Sequence, residues 1–291
     1  MVSARENVML KKGIAFGLAA MFATTGAQAA TVFGVDEFNN LVTFNSAAPG
    51  VVTRSIAITG LTESLQAIDF RPRNNVLYGL GSDRVVYTID TATGAATAAS
   101  GVLGLAGSQF AFDFNPTIDR LRIVSNTNAN YVFNPNDGSL ATTTPVFYAS
   151  GDTNAGREPD VTAAAYTSAA FGAAANATQL YSIDISLDQL TRQANSAGTL
   201  NTVGPVGLNL GSRTSFDIAG SDAFVQNGTG FYSINLNNGA LTRIGTLDRS
   251  LFGIAIAAVP EPASWAMMIA GVGMVGGTMR RRKPSMRLRH A

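Results

Sequence analysis

The feature that most constrains the fold of this chain is a short segment that occurs five times. Each copy places an aromatic or aliphatic residue, a spacer, Ile or Phe, and then Asn or Asp ahead of a turn, and the final positions lie 45, 44, 50 and 51 residues apart. This spacing is typical of β-propeller blades, which contain four antiparallel strands each. The copies are Leu41-Val-Thr-Phe-Asn45, Tyr87-Thr-Ile-Asp90, Tyr131-Val-Phe-Asn134, Tyr181-Ser-Ile-Asp184 and Tyr232-Ser-Ile-Asn235.

A second recurrent segment predicts how the ring of blades closes. It is a short apolar run that occurs at 67–70, 112–114, 163–166, 216–218 and 252–256. No further strands follow the last run, whereas the first repeat unit, 32–58, has no such run before it. We therefore expect the C-terminal strand to complete the N-terminal blade, which leaves no open sheet edge.

The predicted fold class is all-β, a β-propeller that most simply has five blades. We expect the five copies that end in Asn or Asp to form the third strand of each blade. The fourth blade is the least regular, because the Ala-rich stretch at 168–178 gives it a poorly defined second strand. Six blades remain an alternative if that stretch contains more structure.

The composition of the middle of the chain excludes several kinds of chemistry. Residues 31–258 contain no His, Lys or Cys. Histidine acid–base catalysis, Schiff-base formation and thiol catalysis are therefore excluded, as are zinc sites built from His and Cys. With 11 Arg against 17 Asp and Glu, this part has a net charge of −6. An acidic, Lys-free surface argues against nucleic acid as a partner.

Three carboxylates remain as candidates for a site. Asp69, Asp113 and Asp217 occupy the same place in three of the apolar runs, which in propellers face the central channel. A position repeated by blade duplication favours a structural role, with each carboxylate bonded to a backbone N–H or to Arg71. The alternative is a Ca²⁺ site, because hard cations take oxygen ligands. The polar loop at 151–160 also offers oxygen ligands but lacks EF-hand spacing, and we expect an ordinary exposed loop.

The N-terminal residues predict a secretory signal peptide at 1–29. Lys11 and Lys12 precede an apolar run at 14–22, and Ala27-Gln28-Ala29 supplies small residues for cleavage, so the mature chain is expected to begin at Ala30 or Thr31. Met9 is an alternative start. This predicts export by Sec-type machinery, and the lack of Cys means that the exported domain has no disulfides.

The C-terminal residues predict a sorting and anchoring tail. The tail begins with a Pro-Glu-Pro element, Pro260, Glu261 and Pro262. An uncharged stretch at 263–279, which contains Trp265, comes next. A basic cluster of Arg280, Arg281, Arg282 and Lys283 follows it. The stretch of 17 residues is short against the ~20 needed to span a bilayer, which suits a temporary transmembrane helix in the inner membrane. The basic cluster and the tail at 284–291 should remain cytoplasmic.

These features resemble the PEP-CTERM sorting signal over residues 259–283. The resemblance implies recognition by an exosortase, a membrane protease that removes the tail, and a final location at the outer membrane, the cell surface or outside the cell. The repeat body, 31–258, is similar to a propeller-like domain family often found ahead of such tails. Phe112-Asp-Phe-Asn-Pro116, Asp119-Arg-Leu-Arg122 and Asn126-Thr-Asn128 carry that likeness, which implies an architecture and no chemistry.

Two functions from different classes follow from these patterns. The first is a non-enzymatic exported propeller without a cofactor that binds or scaffolds an exopolysaccharide or an envelope protein. The second is a calcium-dependent hydrolase or lactonase that uses the channel carboxylates. We expect the first, because the domain shows no nucleophile–base pair.

Overall fold

The structure is a computed structural model that describes residues 29–168, 170–220 and 222–257. The described chain forms five sheets, which are antiparallel apart from one parallel pair, and each sheet is one blade of a propeller. The predicted all-β, five-bladed arrangement is confirmed. No helix within these residues is long and apolar enough to cross a membrane. The predicted helix at 263–279 lies outside them, as does the predicted signal peptide at 1–29 apart from Ala29.

The strands follow one another from blade to blade in chain order. Blade I contains β1 (Thr31–Asp36), β2 (Asn40–Asn45) and β3 (Ala48–Ala57). Blade II contains β4 (Leu65–Arg71), β5 (Val76–Gly81), β6 (Val86–Ile89) and β7 (Ala96–Ala98). Blade III contains β8 (Phe110–Asn115), β9 (Arg120–Ser125), β10 (Asn130–Phe133) and β11 (Leu140–Thr142).

The remaining strands complete the ring. Blade IV contains β12 (Phe147–Tyr148), β13 (Val161–Tyr166), β14 (Leu180–Asp184), β15 (Gln189–Gln193) and β16 (Thr199–Pro205). Blade V contains β17 (Thr214–Ala219), β18 (Asp222–Asn227), β19 (Gly230–Ile234) and β20 (Leu241–Thr246). The last strand is β21 (Leu251–Ile256).

The C-terminal strand closes the ring as the sequence predicts. β21 is the innermost strand of blade I and pairs antiparallel with β1, with Gly34 opposite Ile254 and Phe33 opposite Ala255. A side chain at Gly253 would lie 3.0 Å from the backbone nitrogen of Ile68, so glycine allows β21 to approach β4 closely. The first and last strands of the ring thus share one sheet.

Blade IV departs from the prediction for the repeat. The Tyr181 copy forms β14, which is the second strand of its blade and not the third, because residues 168–178 contribute no strand within the described positions and β14 pairs directly with β13. The outer edge is extended instead by β12, which pairs parallel with β16. Second and third strands share the same alternation of apolar and polar residues, so the pattern alone does not distinguish the two places.

The hydrophobic core is divided among the blade interfaces. Five clusters of buried side chains each join residues from two neighbouring blades. Phe114 of blade III packs edge-on against Tyr78 of blade II at 5.0 Å between ring centres. Burial of such apolar surface between blades holds the ring together without disulfides.

Candidate functional site

The five innermost strands surround a central channel. These strands are β4, β8, β13, β17 and β21, and each lies beside the innermost strands of the two neighbouring blades. Two cavities open along them, one at the beginnings of the strands and one near their ends. The residues that line both cavities are therefore positioned by the most rigid part of the fold.

The cavity near the strand ends contains the predicted carboxylates. Asp69 on β4, Asp113 on β8 and Asp217 on β17 form an aspartate triad, with one oxygen from each lying within 4.8 Å of the others. All three are buried, at 7%, 6% and 5% exposure. The cavity beside them has a volume of about 20 Å³, which is enough for one water molecule or one ion.

The triad also joins the blades through the backbone. Each carboxylate accepts a hydrogen bond from an N–H on the next innermost strand around the ring. These bonds run from Phe114 N–H to Asp69 Oδ2 at 2.7 Å, from Tyr166 N–H to Asp113 Oδ1 at 3.1 Å, and from Ile256 N–H to Asp217 Oδ2 at 2.5 Å.

The two blades that follow a blade without the aspartate use a local bond instead. Ala165 and Ala255 stand at the equivalent place on β13 and β21, so they offer no oxygen to the next blade. The amide of Ile218 bonds Oδ1 of Asp217 at 2.6 Å instead, and that of Phe70 bonds Oδ1 of Asp69 at 2.7 Å. Three carboxylates thus satisfy five equivalent backbone amides.

One oxygen of the triad is left over. Within the described residues no group donates a hydrogen bond to Oδ2 of Asp113, and no arginine bonds any of the three carboxylates. The prediction of a structural role bonded to backbone N–H groups agrees with this geometry. The suggested bond to Arg71 is wrong, because Arg71 lies against Asp119, with Nε 2.7 Å from Oδ1.

The environment of the triad favours the protonated acids. Burial raises the pKa of Asp69 well above its usual value, and the neighbouring charge of Asp217 raises it further. Burial, followed by the charges of Asp69 and Asp217, does the same to the pKa of Asp113. Burial raises the pKa of Asp217 to about 7. Like charges this close cannot all ionise in a buried site.

The same oxygens are the described groups that best suit a metal ion. Ca²⁺ takes 6–8 oxygen ligands, and the triad has one oxygen without a hydrogen bond while the other five accept from amides. In the polar loop at 151–160 the first carboxylate is engaged in a hydrogen bond, since Asp152 Oδ2 accepts from the Thr202 N–H at 2.6 Å. That loop therefore bonds back to β16.

The other cavity was not predicted from the sequence. It has a volume of about 230 Å³ and is lined by the beginnings of all five innermost strands, and we call it the channel mouth. Its polar lining residues are Gln66, Ser108, Gln109, Thr162, Ser212, Arg213, Thr214 and Ser215, and its aromatic ones are Phe110, Phe112, Phe216 and Phe252. Polar residues recur just before or at the start of these strands, which is the signal that could have identified it.

Among the described residues a single arginine gives the channel mouth its charge, since none of those that line it is Asp or Glu. The guanidinium carbon of Arg213 lies 4.7 Å from the ring centre of Phe252, which is a cation–π contact. Its carboxylate neighbour, Glu37 Oε2, is 4.0 Å from Nη1, and both side chains are about half exposed. Such a pair is weak in water.

Two lining residues carry buried polar atoms without a partner. Among the described residues, Oε1 of Gln66 and Oγ1 of Thr162 form no hydrogen bond. Thr162 is only 5% exposed. Buried polar atoms are nearly always bonded in folded proteins, and exceptions often mark functional positions.

The residues predicted to direct sorting and export lie mostly outside the described chain. Pro260, Glu261, Pro262, Trp265 and the arginine cluster are in this group, as is Ala27. At the other end of the described chain, the Ala30 N–H donates to Ser46 Oγ at 2.9 Å, and the Ser46 N–H donates back to the Ala30 carbonyl at 2.9 Å. Ala30 is therefore already part of the propeller.

Comparison with known families identifies two regions. The sequence profile of a domain of unknown function, DUF4394, matches residues 40–255. The profile of the PEP-CTERM protein-sorting motif matches residues 258–283. A search of curated proteins found no match.

Comparison with solved structures shows the fold alone. A chain in the crystal structure of a nidogen/laminin complex matches with a TM-score of 0.51 and 10% identity, covering 78% of this chain and 98% of that chain. Because 919 solved chains match the fold, this likeness does not distinguish one activity from another.

Proposed function

The chain belongs to the DUF4394 family of domains of unknown function, and on this premise we propose that it is a non-enzymatic propeller that binds an extracellular polysaccharide through its channel mouth. The PEP-CTERM motif marks an exported, exosortase-processed protein of the cell surface or exterior. The domain of residues 40–255 therefore acts where envelope and matrix components are its neighbours.

The channel mouth is the observation that supports binding. It is a preformed cavity of about 230 Å³ at the centre of the ring, and residues of all five blades contribute to it. Concave sites with a few convergent polar groups are the usual places for small ligands. Its hydroxyl and amide side chains match the hydroxyl groups of sugars better than they match an apolar partner.

The chemistry of the channel supports a role without catalysis. The channel mouth offers hydroxyls, amides and one guanidinium, but no carboxylate, imidazole, thiol or amine that would serve as a general base. The carboxylates of the aspartate triad are bonded to amides of the innermost strands. Their burial and raised pKa values oppose the ionised form that a base or metal ligand requires.

An envelope protein is the alternative partner, and a calcium-dependent hydrolase or lactonase is the alternative function. The oxygens of the triad, which lie within 4.8 Å of one another, favour the latter, because a bound metal ion could activate water. Loss of turnover of a screened lactone in Asp69→Asn, Asp113→Asn and Asp217→Asn variants that remain folded would establish that alternative.

Calorimetric titration of the mature protein with the polysaccharide of the producing cell tests the proposal. We expect binding by the unchanged protein and at least tenfold weaker binding by Gln109→Leu, which removes a half-buried amide from the lining of the channel mouth. Gln189→Leu, at a half-buried position on β15 outside the channel mouth, is the matched control. Failure of the unchanged protein to bind, or equal binding by both variants, would refute the proposal.

A further inference from the structure

We infer that the channel mouth selects a sugar unit that carries a carboxylate, such as a hexuronic acid, and that Arg213 is the residue that recognises the carboxylate. This inference rests on the proposed function, since it specifies the ligand class of the same cavity. It is argued from the charge, the geometry and the size of the channel mouth.

The charge of the channel mouth is opposite to that of the domain. Residues 31–258 contain 17 Asp and Glu against 11 Arg, yet the lining of the channel mouth has Arg213 and no acidic residue. The surrounding acidic surface repels an anion, whereas the channel mouth attracts one. This contrast favours a ligand with one localised negative group over a polyanion.

Arg213 is held in place and still has donors to offer. Its guanidinium carbon lies 4.7 Å from the ring centre of Phe252, and Nη1 lies 3.5 Å from Ser250 Oγ. Glu37, the neighbouring acid, is 4.0 Å away and about half exposed. A guanidinium presents a planar pair of N–H donors that fits a carboxylate, and this geometry is not reproduced by lysine.

The other walls of the channel mouth suit a sugar ring. Ser108, Gln66 and Gln109, which are exposed or half-buried, supply hydroxyl and amide groups, while the half-buried Phe252 supplies apolar surface for a C–H face of the ring. The pairing of polar groups with aromatic surface is what a ring with hydroxyls on its edge and C–H groups on its faces requires.

The volume of the channel mouth limits the ligand to a small unit. About 230 Å³ corresponds to roughly eight water molecules at ~30 Å³ each and is less than the ~300–1,000 Å³ of drug-sized sites. One sugar ring fits, whereas a run of several rings does not. A terminal unit or a side branch of a polysaccharide is therefore expected.

A matched pair of sugars tests this inference directly. Methyl glucuronide and methyl glucoside differ only in a carboxylate against a hydroxymethyl group, and their affinities are measured by NMR titration of the mature protein. We expect the glucuronide to bind at least tenfold more tightly, equivalent to about 1.4 kcal/mol, and the preference to disappear in Arg213→Gln. Arg213→Lys should restore only part of it.

Two further variants separate recognition from general electrostatics. Arg243→Gln removes an equal charge from β20 and should leave the preference unchanged. Glu37→Gln removes the competing carboxylate beside Arg213 and should tighten glucuronide binding about two- to threefold, consistent with the small energy of an exposed ion pair.

The outcomes distinguish this inference from the proposed function. Equal affinity for the two sugars, with polysaccharide binding intact and sensitive to Gln109→Leu, overturns the acidic-sugar assignment and leaves the proposed function standing. Tighter binding of N-acetylalanine, which stands for a peptide C-terminus, assigns the carboxylate site to a protein partner and also overturns it. Absence of binding to the polysaccharide overturns both.

Discussion

Oδ2 of Asp217 accepts a hydrogen bond from the backbone N–H of Ile256 at 2.5 Å. Asp217 lies on the innermost strand of blade V, and Ile256 lies on the C-terminal strand that completes blade I. The bond therefore crosses the seam at which the two ends of the propeller meet. The same carboxylate also accepts from the Ile218 N–H through its other oxygen, so its loss would leave two buried amides unbonded.

The first prediction concerns the order of stability among triad variants. Asp217→Ala removes the acceptor of two amides, and each unsatisfied buried donor costs about 1–3 kcal/mol, so the free energy of unfolding should fall by about 2–6 kcal/mol. Asp113→Ala frees only the Tyr166 amide and removes one of three repelling acids. We expect a loss of about 1–2 kcal/mol, measured by urea unfolding.

The control for this series is Glu63→Ala, at an exposed acid outside the channel, which should change stability by less than about 0.5 kcal/mol. Asp69→Ala should resemble Asp217→Ala, because Asp69 also bonds two amides. If Asp113→Ala lost more stability than Asp217→Ala, the number of amides bonded by each carboxylate would not explain their contributions.

The second prediction is a dependence of stability on pH. The pKa of Asp217 is about 7 in the folded protein, compared with about 3.9 in an unfolded chain, so the folded state binds more protons between these values. Stability should therefore fall as the pH rises from about 4 to about 7, by up to ~1.4 kcal/mol for each unit of pKa difference. The melting temperature of the protein at a series of pH values measures this effect.

Asp217→Asn checks the assignment of that pH dependence. An amide side chain does not titrate, and its single oxygen can accept from only one of the two N–H groups that bond Asp217. The variant should therefore be less stable than the unchanged protein but show a flatter profile over this range. An unchanged slope in the variant would assign the dependence to other groups.

The sequence predicts the ring and its closure because strand periodicity and blade spacing are local patterns. The pairing of β1 with β21 follows from a strand left without a blade at one end and a blade lacking a strand at the other. The place of the Tyr181 segment could not be obtained in this way. Its residues alternate equally well as a second or a third strand. What decides between the two is that the described residues of 168–178 form no strand.

The site was predictable in part for a related reason. The equivalent positions of Asp69, Asp113 and Asp217 place them on one level of the channel, so their convergence follows from the repeat. Their amide partners lie 39 to 53 residues away along the chain, and the partner of Arg71 lies 48 residues away. Long-range pairs of this kind depend on the packing of blades, which the sequence pattern does not specify.

The third prediction concerns the buried ion pair between Arg71 and Asp119, which joins blades II and III. Their side chains are 7% and 6% exposed, and the hydrogen bond from Arg71 lowers the pKa of Asp119. Asp119 has φ of +54°, so Asp119→Asn is the suitable change, because Asn tolerates this conformation. Asp119→Asn and Arg71→Met should each cost about 3–5 kcal/mol, because each leaves a buried partner uncompensated.

The double variant tests whether these costs arise from the pair itself. We expect it to lose less stability than the sum of the single variants by about 0.5–3 kcal/mol in a double-mutant cycle of denaturant unfolding. Simple additivity would show that the two side chains act independently.

The fourth prediction concerns calcium at the aspartate triad. Five of its six oxygens accept backbone hydrogen bonds, and the cavity of about 20 Å³ has room for one water molecule or one ion. Ca²⁺, by contrast, requires 6–8 oxygen ligands. We expect the melting temperature at neutral pH to be the same in excess Ca²⁺ and in excess EDTA. A rise in Ca²⁺ that is lost in Asp113→Asn would instead support the metal-dependent alternative.

The last prediction concerns the ends of the mature protein. Ala30 exchanges two hydrogen bonds with Ser46 and is 7% exposed, so a chain that began at Thr31 would lose both bonds. Cleavage after Ala29 retains them and has Ala27 and Ala29 at the positions that signal peptidase requires to be small.

At the other end, β21 finishes at Ile256, just before the sorting motif at 258–283, so removal of the tail leaves the closed ring intact. Intact mass measurement of the secreted protein should give a chain that starts at Ala30 and lacks the tail. In a strain without the exosortase the tail should be retained in the membrane fraction, and a tail-bearing protein in the medium of the parent strain would contradict the prediction.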